Sequence, residues 1–376
     1  MLELIRDNPF VSQQELADRL QLSRSAVATY ISMLLQDGVI LGRAYVLPTP
    51  RRITCMGGAH VDCKMQSKGT LQFGTSNPAV VTESHGGVAR NIAENLGRMG
   101  LFPNLITMVG QNESGDAILT HCSAVGVDTS QSIRLEHHNT GTYTALLDAS
   151  GEMVVALADM EIYDAFSRGR IDVRWHVLKA SDLVVVDTNL PAESLDHLIQ
   201  RCRDENVRLC VIPVSSPKAL RLPNDLEGVA ILIANMDEVS TLTNQPVTDL
   251  SSVWEAGRHL MDRGCREVVV TMGQKGSAYM DGAGRGFVSA PDVNVKDVTG
   301  AGDAFAAGVI YGINEGGSLQ SACQLGMRLS GVTLATKDTV SQDIRPDLIR
   351  IWMDEIRNEG REENGDEHVQ PVDRSI

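Results

Sequence analysis

The spacing of apolar positions changes at about residue 52. Before it, the pattern is helical. Ser12 opens SQQELADRL with Glu15 three positions on, the spacing of a capping box, and Leu16, Ala17 and Leu20 then share one face. After the Gln21-Leu22 turn a second helix is predicted from Ser23, with Val27, Ile31 and Leu34 or Leu35 at i, i+4 and i+7 and Gly38 as its stop. VILGRAYVL reads as two short strands around Gly42-Arg43, and residues 49–52, Thr49-Pro50-Arg51-Arg52, as a hinge. Beyond it, short β-branched runs (RRITCMGG, LFPNLITMVG, SDLVVVDTN, RLCVIPV, GVAILIAN, REVVVTMG) alternate with helical stretches such as ARNIAENLGRMG, AESLDHLIQRCRDEN and VWEAGRHLMDRG. That alternation predicts an α/β fold, a mostly parallel sheet with helices on both faces. Residues 62–85 and 139–158 break the pattern; the second alternates about Ser150-Gly151 as a hairpin, and both suit a small antiparallel lid. The chain thus divides into residues 1–50, a domain over 51–355, and an acidic disordered tail over 356–376.

Composition narrows the choice. A length of 376 residues with 43% hydrophobic content suits two folded units. The net charge of −15, from 33 basic and 48 acidic residues, argues against a chain devoted to coating nucleic acid or an anionic membrane. It leaves room for a small DNA-reading module. Residues 1–50 resemble a winged helix-turn-helix, which places its second helix in the major groove. Ser23, Arg24, Ser25 and Thr29 are the candidate DNA contacts, with Arg43 in the wing; a docking or dimerisation module is the alternative. Seven scattered cysteines, an odd number with no zinc spacing, read as reduced thiols. No apolar run reaches a membrane span and the N-terminus lacks a signal-peptide pattern, so a cytoplasmic protein is expected.

The sharpest chemistry lies in DVTGAGDAFAAG, residues 297–308. Ligands of open α/β sheets bind at the carboxyl ends of the strands. A small-residue loop entering a helix there presents backbone N–H groups and a favourable dipole to an anion. Gly300, Ala301 and Gly302 suit a phosphate gaining charge in a transition state. Asp303 stands where a carboxylate could accept the proton of an attacking hydroxyl.

The same string resembles the C-terminal signature of the ribokinase-like, or PfkB, family of carbohydrate and nucleoside kinases. GGVARNIAENLGRMG (86–100) resembles the N-terminal signature, with Gly87 and Asn91; GGAHVD (57–62) resembles the first-strand motif whose acid, here Asp62, grips sugar hydroxyls. His60 stands there where the family often has Asn. NMDE (235–238) resembles the family's NxxE, and TMGQKG (271–276) its nucleotide-side turn. The resemblance covers roughly residues 52–350 and implies a ribokinase-like three-layer α/β/α sandwich with a small β lid, behind the winged helix-turn-helix. It implies ATP as co-substrate, bound by Asn235, Thr271, Gly273, Gly276 and Thr299, and Mg2+ placed by Glu238 through water. It leaves room for a K+ site using the backbone near Asp297 and Thr299, although ATKDTVSQ (335–342) lacks the Asn-Asn-Pro of close relatives. A homodimer through the lid is expected.

A narrower resemblance is to the pseudouridine kinases of that family, through TSNPA (75–79), TGTYTALLDASGEMVVALADM (140–160), VVVDTNL (184–190) and PVSSPK (213–218). It implies a nucleoside site of Asp62, Ser76, Asn77, Gly87, Asn91, Thr142 and Lys218. The activity implied is transfer from ATP to the 5′-hydroxyl of pseudouridine, with DNA-binding regulation by the N-terminal domain. Asn77 can offer a uracil edge both donor and acceptor. Inosine, guanosine, ribose or a fructose-type sugar are alternative acceptors, and a transcription regulator using the fold as a ligand sensor is the alternative class.

Overall fold

The computed structural model describes residues 1–42 and 52–365. Eight strands form the main sheet, in the order Arg285–Ser289, Gly276–Met280, Glu267–Thr271, Val229–Asn235, Leu209–Ile212, Leu183–Asp187, Ile53–Met56, Asn104–Ile106. The six from Glu267–Thr271 onward are parallel. The first two fold back antiparallel, an edge hairpin that the apolar runs did not mark because Arg285–Ser289 is mostly exposed. A parallel strand covered on both faces must be apolar along its length, and Leu183–Asp187 is buried at every position. Alternate residues serve opposite layers. Cys55, Val185, Cys210, Ile231 and Val269 share a core with residues of Val88–Arg98, Ala301–Asn314 and Leu319–Leu334. Met56, Val184, Val186, Val211, Leu232 and Val268 share the other with residues of Ala192–Asp204 and Leu250–Asp262. The fold is therefore the three-layer α/β/α sandwich.

The run AFAAG brings two helices into backbone contact. A Cβ at Gly308 would stand 2.6 Å from the Cα of Gly326, and one at Gly312 would stand 2.7 Å from that of Ala322. This packing fixes the helix that carries Asp303.

A second sheet, Ala79–Gly86, His60–Ser67, Thr142–Leu147, Met153–Asp159, forms the lid. It consists of two antiparallel pairs joined by a parallel seam between His60–Ser67 and Thr142–Leu147. The lid is thus mixed rather than antiparallel: its two inner strands run the same way, side by side.

The N-terminal module holds helices Leu2–Asp7, Gln13–Leu20 and Arg24–Gln36. The Ser12–Glu15 capping box forms in both directions, and Ser23 caps the next helix by accepting from the N–H of Ala26. Leu2–Asp7 was not marked by the pattern; it adds Ile5 to a core of Leu16, Ala17, Val27, Ile31 and Ile40. Ser23, Arg24, Ser25 and Thr29 are exposed, although the Thr29 hydroxyl donates to the Ser25 carbonyl at 3.0 Å. Residues 39–42 form no strand; the rest of the wing, with Arg43, and the hinge residues 49–51 lie outside the described residues. The module rests at the amino end of Leu183–Asp187, where Lys179 pairs with Asp37 at 3.3 Å and Gly38 abuts His176 and Ala180.

The last helix, Pro346–Gly365, continues past residue 355 into the segment expected as tail. Met353 and Ile356 are buried, and Arg328 pairs with Glu355 and Glu359, so this charged stretch has both an apolar face and an ionic partner. Residues 366–376 lie outside the described residues. Among the described residues no helix is long and apolar enough to cross a membrane, and all seven cysteines are buried and unpaired.

Candidate active site

Gly300 caps the helix Ala301–Asn314 with φ at 79°, and a Cβ there would lie 1.9 Å from the carbonyl oxygen of Thr339. Only glycine fits both constraints. Gly302, by contrast, faces open space, which leaves the first turn of the helix approachable. Asp303 in that turn accepts a 2.6 Å hydrogen bond from Asn91 Nδ2. Burial pushes its carboxyl up to about 7; the Asn91 bond and the Arg90 charge oppose this, and the charges of Asp187 and Asp62 add to it. A carboxylate with that basicity is matched to taking a proton near neutral pH.

Asn91 is held in turn. Its Oδ1 accepts from Arg90, which also donates to the Gly86 and His85 carbonyls and pairs with Glu94. Both charged residues are almost fully buried. Burial alone would raise the Glu94 carboxyl, but hydrogen bonds from His121 and Arg98 and the Arg90 charge hold it down at about 2. Sequence reasoning missed this support. Its one signal was the i,i+4 spacing of Arg90 and Glu94 on a predicted helix.

The side of the site that carries Asp62 is built around a second missed acid, Asp187, at the end of Leu183–Asp187. Its Oδ2 accepts from the N–H groups of Gly58 and Ala89 at 2.8 and 3.0 Å, and its Oδ1 from that of Asn189 at 2.9 Å. It therefore pins the Gly57-Gly58 turn to the start of Val88–Arg98. Gly87 caps that helix at φ 105°, too close to Gly58 to carry a Cβ. Asp62 stands on the lid strand with its carboxylate in the space that a Gly86 side chain would fill. His60 Nε2 lies 3.1 Å from Asp62 Oδ1, so this departure from the family buttresses Asp62. Thr142 faces Val61 across the lid seam. Lys218 donates to Asn189 Oδ1, and burial lowers its pKa against the pull of Asp187. Ser76 is exposed on the lid loop. Asn77 is engaged: its amide accepts from Gln72 N at 2.8 Å and donates to the Gln72 and Thr75 carbonyls. Here it organises its own loop rather than presenting a free edge.

On the other side of Asp303 opens a cleft of about 670 Å³ lined by Thr271, Gly273, Gly276, Ala301 and Gly302. Its apolar wall, including Pro291, Val293, Val295 and Leu334, comes from the 290–298 loop and the helix Leu319–Leu334. No motif had marked these. Asn235 and Glu238 form a reciprocal capping box at 2.9 Å each way. Burial pushes the Glu238 carboxyl up to about 7, against the backbone N–H of Asn235, and the charges of Asp303 and Asp237 add to the rise. Among the described residues no group of three or more His, Cys, Asp or Glu side chains could cage a metal. A Mg2+ carried on phosphates needs only one or two carboxylates and keeps its waters, and Glu238, raised chiefly by burial and further by Asp303, fits as one such carboxylate. At the expected K+ site the Asp297 carboxylate is already paired. Lys64 Nζ donates to its Oδ2 at 2.9 Å, while the N–H and hydroxyl of Thr299 donate to its Oδ1 at 2.9 and 2.7 Å.

The model of the pfkB family carbohydrate kinases matches residues 50–345. The chain belongs to that family. This PfkB kinase also carries, over residues 1–40, a match to the winged helix-turn-helix DNA-binding model. It is 30% identical over 293 residues to a pseudouridine kinase of Escherichia coli K12, covering 78% of this chain and 93% of that one. An uncharacterized sugar kinase of the same organism, YeiI, is 27% identical and is covered over 92% of its length by 89% of this chain. A guanosine-inosine kinase of Exiguobacterium acetylicum is 26% identical, with 76% and 95% covered. Among solved structures, a carbohydrate kinase from Agrobacterium tumefaciens superposes with a TM-score of 0.71 at 31% identity, covering 81% of this chain and 97% of that one. Arabidopsis thaliana ribokinase, complexed with ribose and ATP, superposes with a TM-score of 0.73 at 18% identity over 81% of this chain and 99% of its own, a likeness of fold. The PfkB chain is thus a phosphotransferase of the sugar and nucleoside kinase type.

Proposed function

We propose that this kinase transfers the γ-phosphoryl group of ATP to the 5′-hydroxyl of a nucleoside, with pseudouridine the favoured acceptor. The observation that carries the transfer is Asp303, its carboxyl raised to about 7 at the mouth of an anion-binding helix and gripped by Asn91. The hydroxyl attacks the γ-phosphorus while Asp303 takes its proton, the bond to the bridging oxygen breaks and ADP leaves, and the N–H groups of Gly300, Ala301 and Gly302 receive the developing charge. Asp62, braced by His60, orients the ribose hydroxyls. The nucleotide lies in the cleft of Thr271, Gly273 and Gly276. Glu238 beside Asn235 would hold Mg2+ through water, and the ion would supply neutralisation of phosphate charge. The lid covers the acceptor and excludes water, which limits wasteful hydrolysis.

Support for the acceptor is the 30% identity to a pseudouridine kinase together with the sugar-side turn of Asp187, Asn189 and Lys218. The guanosine-inosine kinase relative favours a purine nucleoside as the second reading. The exposed Val81, Val155 and Leu157, which share one face of the lid, support a homodimer through that sheet, and the helix-turn-helix supports an operator DNA partner. ADP release with Mg2+ and ATP, measured across pseudouridine, uridine, inosine, guanosine, adenosine, ribose and fructose, tests the acceptor. Selective turnover of pseudouridine is expected. Preference for guanosine or inosine would replace the base assignment and keep the chemistry.

A further inference from the structure

Lys64 lies on the lid strand His60–Ser67, two positions beyond Asp62. Its ammonium leaves the lid and reaches the loop that precedes the anion-binding turn, 2.9 Å from Asp297 Oδ2 and 3.4 Å from Thr299 Oγ1. With Thr299 bonded to the other oxygen, the Asp297 carboxylate has a hydrogen-bond donor on each side and a full positive charge against it. The pair is part-exposed, with 41% and 25% of the side chains accessible, so it adds little to overall stability. Its consequence is local. Gly300 follows Asp297 by three residues, and an unneutralised carboxylate there would oppose the phosphate charge that the turn must receive.

We propose that Lys64 is a tethered monovalent cation: it replaces K+ at Asp297 and, being part of the lid, sets the anion loop when the lid is seated. Lys64 is a positioning residue, acting through Asp297 and Thr299 on the N–H groups of residues 300–302. The inference rests on phosphoryl transfer at Asp303 and is independent of which acceptor is used.

The test compares the full chain with Lys64→Met, which keeps the stem and removes the charge, and Lys64→Arg, which keeps the charge. Melting temperature and ATP turnover are measured in potassium, sodium and tetramethylammonium chloride at equal ionic strength, and turnover of K64M also in methylammonium chloride. The unaltered protein should melt and turn over alike in all three. K64M should lose roughly tenfold in kcat with little change in nucleotide KM, as expected for a displaced catalytic loop. It should also gain a K+-specific rise in melting temperature and partial rescue by K+ or methylammonium, while K64R retains the parent's behaviour. A parent protein that needs K+ overturns the proposal. So does K64M with parental turnover and salt response, or a loss in K64M that neither cation restores. The melting arm needs no acceptor, so a wrong nucleoside assignment and a wrong cation assignment give different results.

Discussion

Two opposing demands meet at Asp303. Burial and neighbouring acids favour its protonated form, whereas the Asn91 amide and Arg90 favour the ion. The folded protein therefore holds this proton, and that of Glu238, through pH values where an unfolded chain has released them. Their contribution to stability is present in full below about pH 4 and is lost as pH rises through 7. Glu94 runs the other way. Its carboxyl is held near 2, so its contribution is present above its ordinary range and is lost as the solution is acidified toward 2. Asp303→Asn removes the ion without removing the shape. It should lower kcat by about 10²–10⁴, the usual worth of a general base, and abolish the limb of the kcat/KM profile near pH 7. It should also melt higher than the parent at pH 8, with the gain vanishing by pH 5. Parental turnover in this variant would remove Asp303 as the base. Glu94→Ala leaves Arg90 buried without its carboxylate, which costs about 3–5 kcal/mol by the usual penalty for a broken buried pair; chemical denaturation measures it, and a loss under 1 kcal/mol would mean that water or His85 replaces the partner.

At the scale of elements, the helix Ala301–Asn314 is positioned by missing side chains. Replacing glycine with alanine inside a helix normally gains up to about 1 kcal/mol. At Gly308 the new methyl would meet the backbone of Gly326 at 2.6 Å, and overpacking against main chain, about 1–3 kcal/mol, should win. Gly308→Ala is therefore expected to melt lower and, because its helix carries Asp303, to lose turnover as well. A higher melting temperature would show that the two helices separate freely. The anion turn was legible in the sequence for a related reason: a φ of 79° beside the Thr339 carbonyl leaves glycine no substitute, so geometry is written as residue identity. The parallel strands were legible because burial on both faces demands unbroken apolar runs. Asp187 and Lys64 were not. Each is one polar residue whose meaning comes from partners far along the chain, at Gly58 and Asp297, and no local pattern encodes such a contact. The helix beyond residue 355 was missed likewise, because its support comes from Arg328 on another helix.

The whole molecule has two ends with different tasks. The lid carries Val81 at 54% and Leu157 at 68% exposure, and a dimer through that face would cover them. Val81→Glu with Leu157→Glu should yield a monomer in sedimentation analysis while the isolated fold stays intact; an unchanged sedimentation coefficient would move the interface elsewhere. The helix-turn-helix module sits at the opposite end of the sheet, clasped through Asp37 and Lys179 where Leu183–Asp187 begins. That strand finishes at Asp187, which holds the Gly57-Gly58 turn. Its five residues span roughly 17 Å at 3.3 Å each, so it works as a strut between the helix-turn-helix module and that turn. The lid lies at one end of the strut and the helix-turn-helix module at the other, so closure of the lid on a substrate would leave the module in place. Saturating nucleoside or ATP should then leave DNA affinity within about twofold, an energy shift of about 0.4 kcal/mol. The genome would be told how many copies of the enzyme are present, and nothing of how hard they are working.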